Sequence, residues 1–152
     1  MNVLFVCMGN IGRSPLAKSL LQKKYKENAI LAEVDSAGFE AYNINEKPDH
    51  RIKELGKKHG IEVTGEARIF IKKDFEKFDH IYVMDTKTYR DVKELAKNED
   101  QLNKIDYIMN LVEPGKNKIV PDPIYAWNVD PETVFDYLDK ATDKIVENTM
   151  RN

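Results

Sequence analysis

Cys7 and Arg13 are separated by five residues, and the chain between and after them reads Met8-Gly9-Asn10-Ile11-Gly12, then Ser14-Pro15. A cysteine is a nucleophile in its thiolate form, and an arginine is a planar fork able to hold two phosphate oxygens at once. Gly9, Asn10 and Gly12 are residue types that tolerate positive φ, so the loop can turn several backbone N–H groups toward one point. Ser14-Pro15 then suits the first turn of a helix, whose N-terminus adds partial positive charge in the same place. The predicted result is an anion cradle made by Met8, Gly9, Asn10, Ile11, Gly12, Arg13 and Ser14, with Cys7 at its bottom. The dipoles and guanidinium that favour a phosphate also favour a thiolate, and a thiolate beneath a bound phosphate is placed for in-line attack on phosphorus. A lone cysteine at a strand end is more often a small buried hydrophobe, but here the eight residues that follow build an anion site around it. Neither the nucleotide P-loop nor the Gly-x-Gly-x-x-Gly dinucleotide turn fits, because no Lys-Ser or Lys-Thr follows Gly12 and the glycine spacing is wrong.

Such a loop needs a rigid platform. Asn2 to Val6 is a short β-branched and aromatic run that predicts a buried strand directly before Cys7. Leu16, Ala17, Leu20 and Leu21 recur at helical spacing to about Tyr25. Strands are expected at 30–35, closed by Ser36-Ala37-Gly38, then at 80–84 and at 105–109. Helices are expected at 48–59, ending before Gly60, and at 86–97 with Asp85 or Thr86 as cap. Glu99-Asp100 reads as loop. An irregular segment from 110 to 129 holds Pro114, Gly115, Pro121 and Pro123, and Asp130-Pro131 opens a last helix striped with Val134, Leu138, Ala141 and Ile145. Strands alternating with helices predict an α/β fold: a doubly wound, four-stranded parallel sheet with helices on both faces, in one domain over 1–152.

Composition agrees. The 152 residues are 41% hydrophobic and 33% charged, and 24 basic against 26 acidic residues leave a net charge of −2. That balance gives no broad electrostatic reason to bind nucleic acid or an anionic membrane. One cysteine excludes an intrachain disulfide and fits a reducing compartment, and the N-terminus carries no signal-like leader, so a cytoplasmic location is expected. His50, His59 and His80 fall at no metal-ligand spacing, and neither a metal nor a cofactor is expected.

The run from Val6 to Pro15 resembles the active-site loop of the low-molecular-weight protein tyrosine phosphatases. Cysteine, five residues and arginine alone is a loose pattern; Gly-Asn and Ser-Pro around it make it specific. The resemblance continues at Asp35-Ser36-Ala37-Gly38, Ala67-Arg68, Asp74-Phe75 with Phe78-Asp79, Met84-Asp85 and Asp122-Pro123, and so spans nearly the whole chain. It implies a flavodoxin-like fold and a phosphotyrosine protein phosphatase working through a phosphocysteine intermediate. By the same resemblance Asp122 is the general acid, Ser14 hydrogen-bonds the thiolate, and Asn10 and Ser36 buttress the loop. Met8, Ile11, Tyr42, Asn43 and Tyr125 would wall the substrate pocket, and aromatic walls make a slot that a phosphotyrosine ring fills and phosphoserine does not. Implied partners are phosphotyrosine-containing proteins or peptides, with inorganic phosphate or similar oxyanions in the same cradle. Three positions depart from the family's commonest pattern: Gly12 stands in place of a second cysteine, Ile124 in place of an aromatic after Asp-Pro, and Tyr42 in place of Trp.

Three other functions fit parts of the pattern. Arsenate reductases of this fold relay a disulfide along further cysteines, and this chain has none. A phosphoarginine phosphatase of the same family tends to carry Thr after Gly-Asn, where this chain has Ile11. A non-catalytic phosphopeptide-binding module has no use for a nucleophile and a distant acid together, yet Cys7, Arg13 and Asp122 are all present.

Overall fold

The computed structural model describes residues 1–40, 43–126 and 128–151. Four parallel strands, β1 (Val3–Val6), β2 (Val34–Ala37), β3 (His80–Val83) and β4 (Ile105–Tyr107), lie in the order β2-β1-β3-β4. β1 is flanked on both sides, and each of its four side chains is fully buried. Alternation then sorts them: Val3 and Phe5 enter one hydrophobic cluster, Leu4 and Val6 the other. The first cluster is closed by α1 (Arg13–Glu27), α2 (His50–Lys58) and α6 (Pro131–Arg151). The second is closed by α3 (Asp74–Lys77) and α4 (Thr86–Leu95), with Phe70, Phe75 and Phe78 filling the space beside the sheet. A short α5 (Glu99–Leu102) precedes β4. The expected doubly wound sheet, with helices on both faces, is the observed fold.

Leu16, Leu20 and Leu21 of α1 are buried to within 1%, and each such side chain contributes about 1.5–3 kcal/mol. Lys24 bolts α1 to α6 by donating to Thr142 Oγ1 at 2.8 Å and to the Asp139 carboxylate at 2.7 Å. His59, which caps α2, stacks on Phe135 of α6 at 3.7 Å and lies 2.7 Å from Glu132 Oε2. The loop that leaves β1 is thereby set on a platform fixed from both helices beneath it.

Several expected boundaries move. The second strand begins at Val34 instead of Ile30, because Ala29 takes positive φ after α1 and Ile30 N–H is drawn to Tyr25 O at 2.9 Å. Ile30 and Ala32 cover the first core cluster from the edge while Leu31 is fully exposed. Glu99-Asp100, expected as loop, opens α5, whose first turn is capped by Asn98 Oδ1 accepting from Gln101 N–H. The fourth strand ends at Tyr107, and Ile108–Leu111 tighten into a 3-10 helix. The fourth helix stops at Leu95, two residues early.

The strand order reverses between β1 and β3, and the segments that follow these strands meet at the carboxyl edge of the sheet, where ligands bind in such folds. Val120 N–H donates to Met84 O at 2.8 Å, which brings the proline-rich segment to the same edge.

Candidate active site

Cys7 follows directly on the inner strand β1, buried to 3% and held by its N–H to Ala37 O. From there the chain turns through Met8–Gly12 into α1. Among the described residues, no backbone N–H from Met8 to Ser14 donates to a protein acceptor, although Asn10, Ile11, Arg13 and Ser14 are buried. Buried N–H groups are almost always paired in folded proteins, so an unpaired run of them marks a binding site for an acceptor-rich anion.

The loop is held open by a polar lattice beneath it. Asn10 takes φ of 56°, a conformation its short amide side chain tolerates. Its Nδ2 donates to Ser14 Oγ at 2.9 Å and to Ser36 Oγ at 2.8 Å, and its Oδ1 accepts from Arg68 N–H at 3.0 Å. Ser14 Oγ lies 2.8 Å from Cys7 Sγ. Because Ser14 accepts from Asn10, its own proton is free to point at the sulfur. Arg68 is fixed in turn by a two-pronged pair with Asp74, at 3.0 and 3.1 Å, and by Asp35 Oδ2 at 3.0 Å. Burial disfavours its charge, but the two carboxylates outweigh that and raise its pKa.

Arg13 is 5% exposed. Its Nη1 donates to Asp85 Oδ2 at 3.0 Å and to Val120 O at 2.7 Å, while Nη2 has Asp122 Oδ2 at 4.0 Å. Asp85 works twice, since its Oδ1 also caps α4 by accepting from Thr88 N–H at 2.9 Å. Burial works against that carboxylate, yet the Thr88 N–H and Arg13 hold its pKa below the ordinary range. Asp122 Oδ1 accepts from Ile124 N–H at 2.8 Å, which fixes the start of the Asp-Pro turn. Arg51 secures the same turn by donating to Ile124 O at 2.9 Å while its other nitrogens hold the α2 cap, Asp49.

These groups border a cavity of about 330 Å³ whose walls include Met8, Gly9, Arg13, Glu40, Asp122 and Tyr125. Met8 and Tyr125, which the resemblance implied as pocket walls, line this cavity, with Tyr125 68% exposed. Ile11 and Asn43 do not. Ile11 is 7% exposed and packs into the first core cluster. Asn43 is 4% exposed, with its Nδ2 2.7 Å from where a β-carbon on Gly9 would sit. Tyr42 falls outside the described residues. Ile124 is not a wall either; it is buried, and its Cδ1 lies 2.8 Å from where a β-carbon on Gly12 would sit. The departures at 12 and 124 therefore share one space, a small residue facing a branched one. Among the described residues no group of three or more His, Cys, Asp or Glu is placed to hold a metal ion.

Sequence reasoning missed Glu40 and Arg51, and gave Arg68 and Asp85 no part in holding the site. For Asp85 the signal was present: an acidic residue directly after a buried strand, at the edge where the cradle lies.

Gly38 packs against the loop backbone too closely to leave room for a side chain. A β-carbon there would meet Met8 O at 2.7 Å, Asn10 Cβ at 2.9 Å and Asn10 N at 3.0 Å, none of which is the end of a flexible side chain. Gly38→Ala is expected to lower stability by about 1–3 kcal/mol, as overpacking does, and to weaken inhibition by inorganic phosphate. Denaturant midpoints and phosphate inhibition constants measure both; no change in either would show that the loop shifts freely.

The match to known proteins covers the whole chain. Residues 2–152 fit the family model of the low molecular weight phosphotyrosine protein phosphatases. A low molecular weight phosphotyrosine protein phosphatase of Gallus gallus is 38% identical over 138 residues, covering 89% of this chain and 87% of the relative. A protein tyrosine phosphatase of Entamoeba histolytica, solved with Hepes in its active site, superposes with a TM-score of 0.90 at 30% identity, covering 99% of this chain and 97% of that one. An arginine phosphatase of drosophila superposes with a TM-score of 0.89 at 25% identity, each chain 98% covered.

Proposed function

The chain belongs to the low molecular weight phosphotyrosine protein phosphatases, and from that premise we propose that it hydrolyses phosphotyrosine on proteins or peptides through a phosphocysteine intermediate. The observation that carries this reading is the unpaired N–H run from Met8 to Ser14, curled at the end of β1 beside the Arg13 guanidinium.

In the first step the Cys7 thiolate attacks phosphorus in line, a sulfur–phosphorus bond forms and the bond to the phenolic oxygen breaks. Asp122, protonated, gives its proton to that oxygen as it leaves. The loop N–H groups and the free side of Arg13 hold the three equatorial oxygens, where charge gathers in the transition state. In the second step a water attacks phosphorus, Asp122 takes its proton, and the thiolate leaves with the Ser14 hydroxyl as its donor. Asn10 and Ser36 keep that hydroxyl in place. The Asp85 pair orients Arg13 so that its remaining N–H groups face the phosphoryl group. Within the 1–152 domain no metal or cofactor is assigned a step, and the single thiol suits a reducing compartment such as the cytoplasm. No helix among the described residues is long and apolar enough to cross a membrane.

The drosophila neighbour favours a second reading, a phosphoarginine phosphatase. One assay separates the two: catalytic efficiency on a peptide carrying phosphotyrosine, phosphoserine or phosphoarginine at one position, with chelator present. Phosphotyrosine is expected to be preferred over phosphoserine by about a hundredfold, because only the ring spans the cavity and reaches the cradle. Equal efficiency on tyrosine and serine would overturn the slot, and a preference for phosphoarginine would establish the second reading.

A further inference from the structure

Glu40 and Met8 line the substrate cavity, and both also line a more open groove beside it, of about 750 Å³. They form a saddle between the two. The groove continues over Phe39 and Phe70, stacked at 5.6 Å with 20° between their rings, and ends against α4 at Lys87, Asp91 and Glu94. Lys87 is matched by Asp91 at 3.2 Å. Neither Glu40 nor Glu94 makes an ion pair among the described residues. The groove therefore offers an aromatic floor between two uncompensated carboxylates.

We propose that this groove holds the peptide residues flanking the phosphotyrosine and selects a basic side chain, arginine or lysine, beside it. The inference rests on the phosphatase reading above and assigns its substrate class. A peptide whose phosphotyrosine fills the cavity, and whose chain leaves across the Met8–Glu40 saddle, lies in the groove. An arginine there can lay its stem and guanidinium plane on Phe39 while its charge faces Glu40 or Glu94. An acidic neighbour would meet the same carboxylates and be rejected, so one surface both attracts and excludes. Charge at the cavity itself favours this. Arg13 is already paired there with Asp85 at 3.0 Å, and the Glu40 carboxylate lines the same cavity, so a dianionic phosphate gains from arriving with a cation beside it.

The test is a series of phosphotyrosine peptides identical except for one flanking residue, Arg, Ala or Glu, assayed at low and high salt. The unmodified enzyme is expected to prefer Arg over Ala by about three- to tenfold at low salt, the size an ion pair near the surface and a cation–π contact supply together, to disfavour Glu, and to lose much of this at high salt. The Glu40→Gln/Glu94→Gln variant is read by the Arg-to-Ala ratio of kcat/KM, which is expected to fall below about twofold. Flanks that differ by less than twofold in the unmodified enzyme overturn the proposal, and so does a ratio unchanged in the variant. The salt series needs no variant and decides the matter even if the double substitution fails to fold. Hydrolysis of a small aryl phosphate, too short to reach the groove, keeps the two readings apart. Its absence in the unmodified enzyme would overturn the phosphatase reading, whereas its presence without a flank preference would overturn the groove alone.

Discussion

Replacing Cys7 with serine is expected to lower turnover of an aryl phosphate by about 10³-fold or more while leaving phosphate and phosphopeptide binding largely intact. The two activities separate because they rest on different atoms. Binding uses the loop N–H groups and Arg13, which Asp85 and the Val120 carbonyl hold, and a serine at the end of β1 disturbs neither. Attack uses the sulfur alone. A hydroxyl stays protonated near neutral pH, and among the described residues the one hydroxyl within hydrogen-bond distance of Cys7 Sγ, Ser14 at 2.8 Å, accepts from Asn10 and so has its proton free for that atom. Among the described residues no general base stands within hydrogen-bond distance of that sulfur to activate an alcohol. Single-turnover assays and phosphopeptide titration of the variant measure both sides. Turnover within tenfold of the unmodified enzyme would overturn the covalent mechanism, and loss of binding together with turnover would show that the substitution had collapsed the cradle.

The cradle was legible in the sequence because its parts are contiguous. Cys7, the two glycines, Asn10, Arg13 and Ser14 lie within eight residues, so their types and spacing carry the geometry. What supports them comes from far along the chain. Arg68 N–H reaches Asn10 across 58 residues, and Asp85 reaches Arg13 across 72. Nothing local distinguishes Arg68 from an ordinary surface arginine, and the one signal at Asp85, an acidic residue directly after a buried strand, is equally that of an ordinary helix cap. Asp122 belongs with them. As a residue of an Asp-Pro turn it carries no catalytic signal, and only the resemblance singled it out. Pocket walls were the least legible. Ile11 lies within the cradle, but the loop's curl turns its side chain into the core, and Asn43, in the segment after β2, is buried against Gly9. Glu40 instead reaches the cavity from the segment after β2. For the fold, strong periodicity gave α1, α2 and α6. The errors fell where tertiary contacts override pattern, as at Ile30, pulled back to the end of α1, or where an element of four residues is too short to show a period, as in α3 and α5.

Asp122→Asn should divide substrates by their leaving group. Asp122 Oδ1 is engaged by the Ile124 N–H at 2.8 Å, while Oδ2 lies 4.0 Å from Arg13 Nη2 at the cavity wall. An asparagine keeps the oxygen that fixes the turn and removes the group that can give and take a proton. Turnover of phenyl phosphate, whose leaving oxygen is strongly basic, is expected to fall by the 10²–10⁴-fold that general acid catalysis supplies, about 3–5 kcal/mol in the barrier. A nitrophenyl phosphate leaves unaided far more readily, so its loss should be smaller, and a plot of rate against leaving-group acidity should steepen in the variant. Hydrolysis of the phosphocysteine also needs a base. With the nitrophenyl ester, whose first step stays fast, the variant is therefore expected to accumulate the phosphoenzyme, seen as a burst of nitrophenol release and a mass gain on Cys7. Equal losses across leaving groups, with no burst, would mean that Asp122 acts only by shaping the turn. The groups that would then remain near the leaving oxygen are the other carboxylates of the cavity, Glu40 and Asp85. Asp85 is committed to Arg13 and Thr88, so Glu40→Gln combined with Asp122→Asn would show whether Glu40 carries the proton.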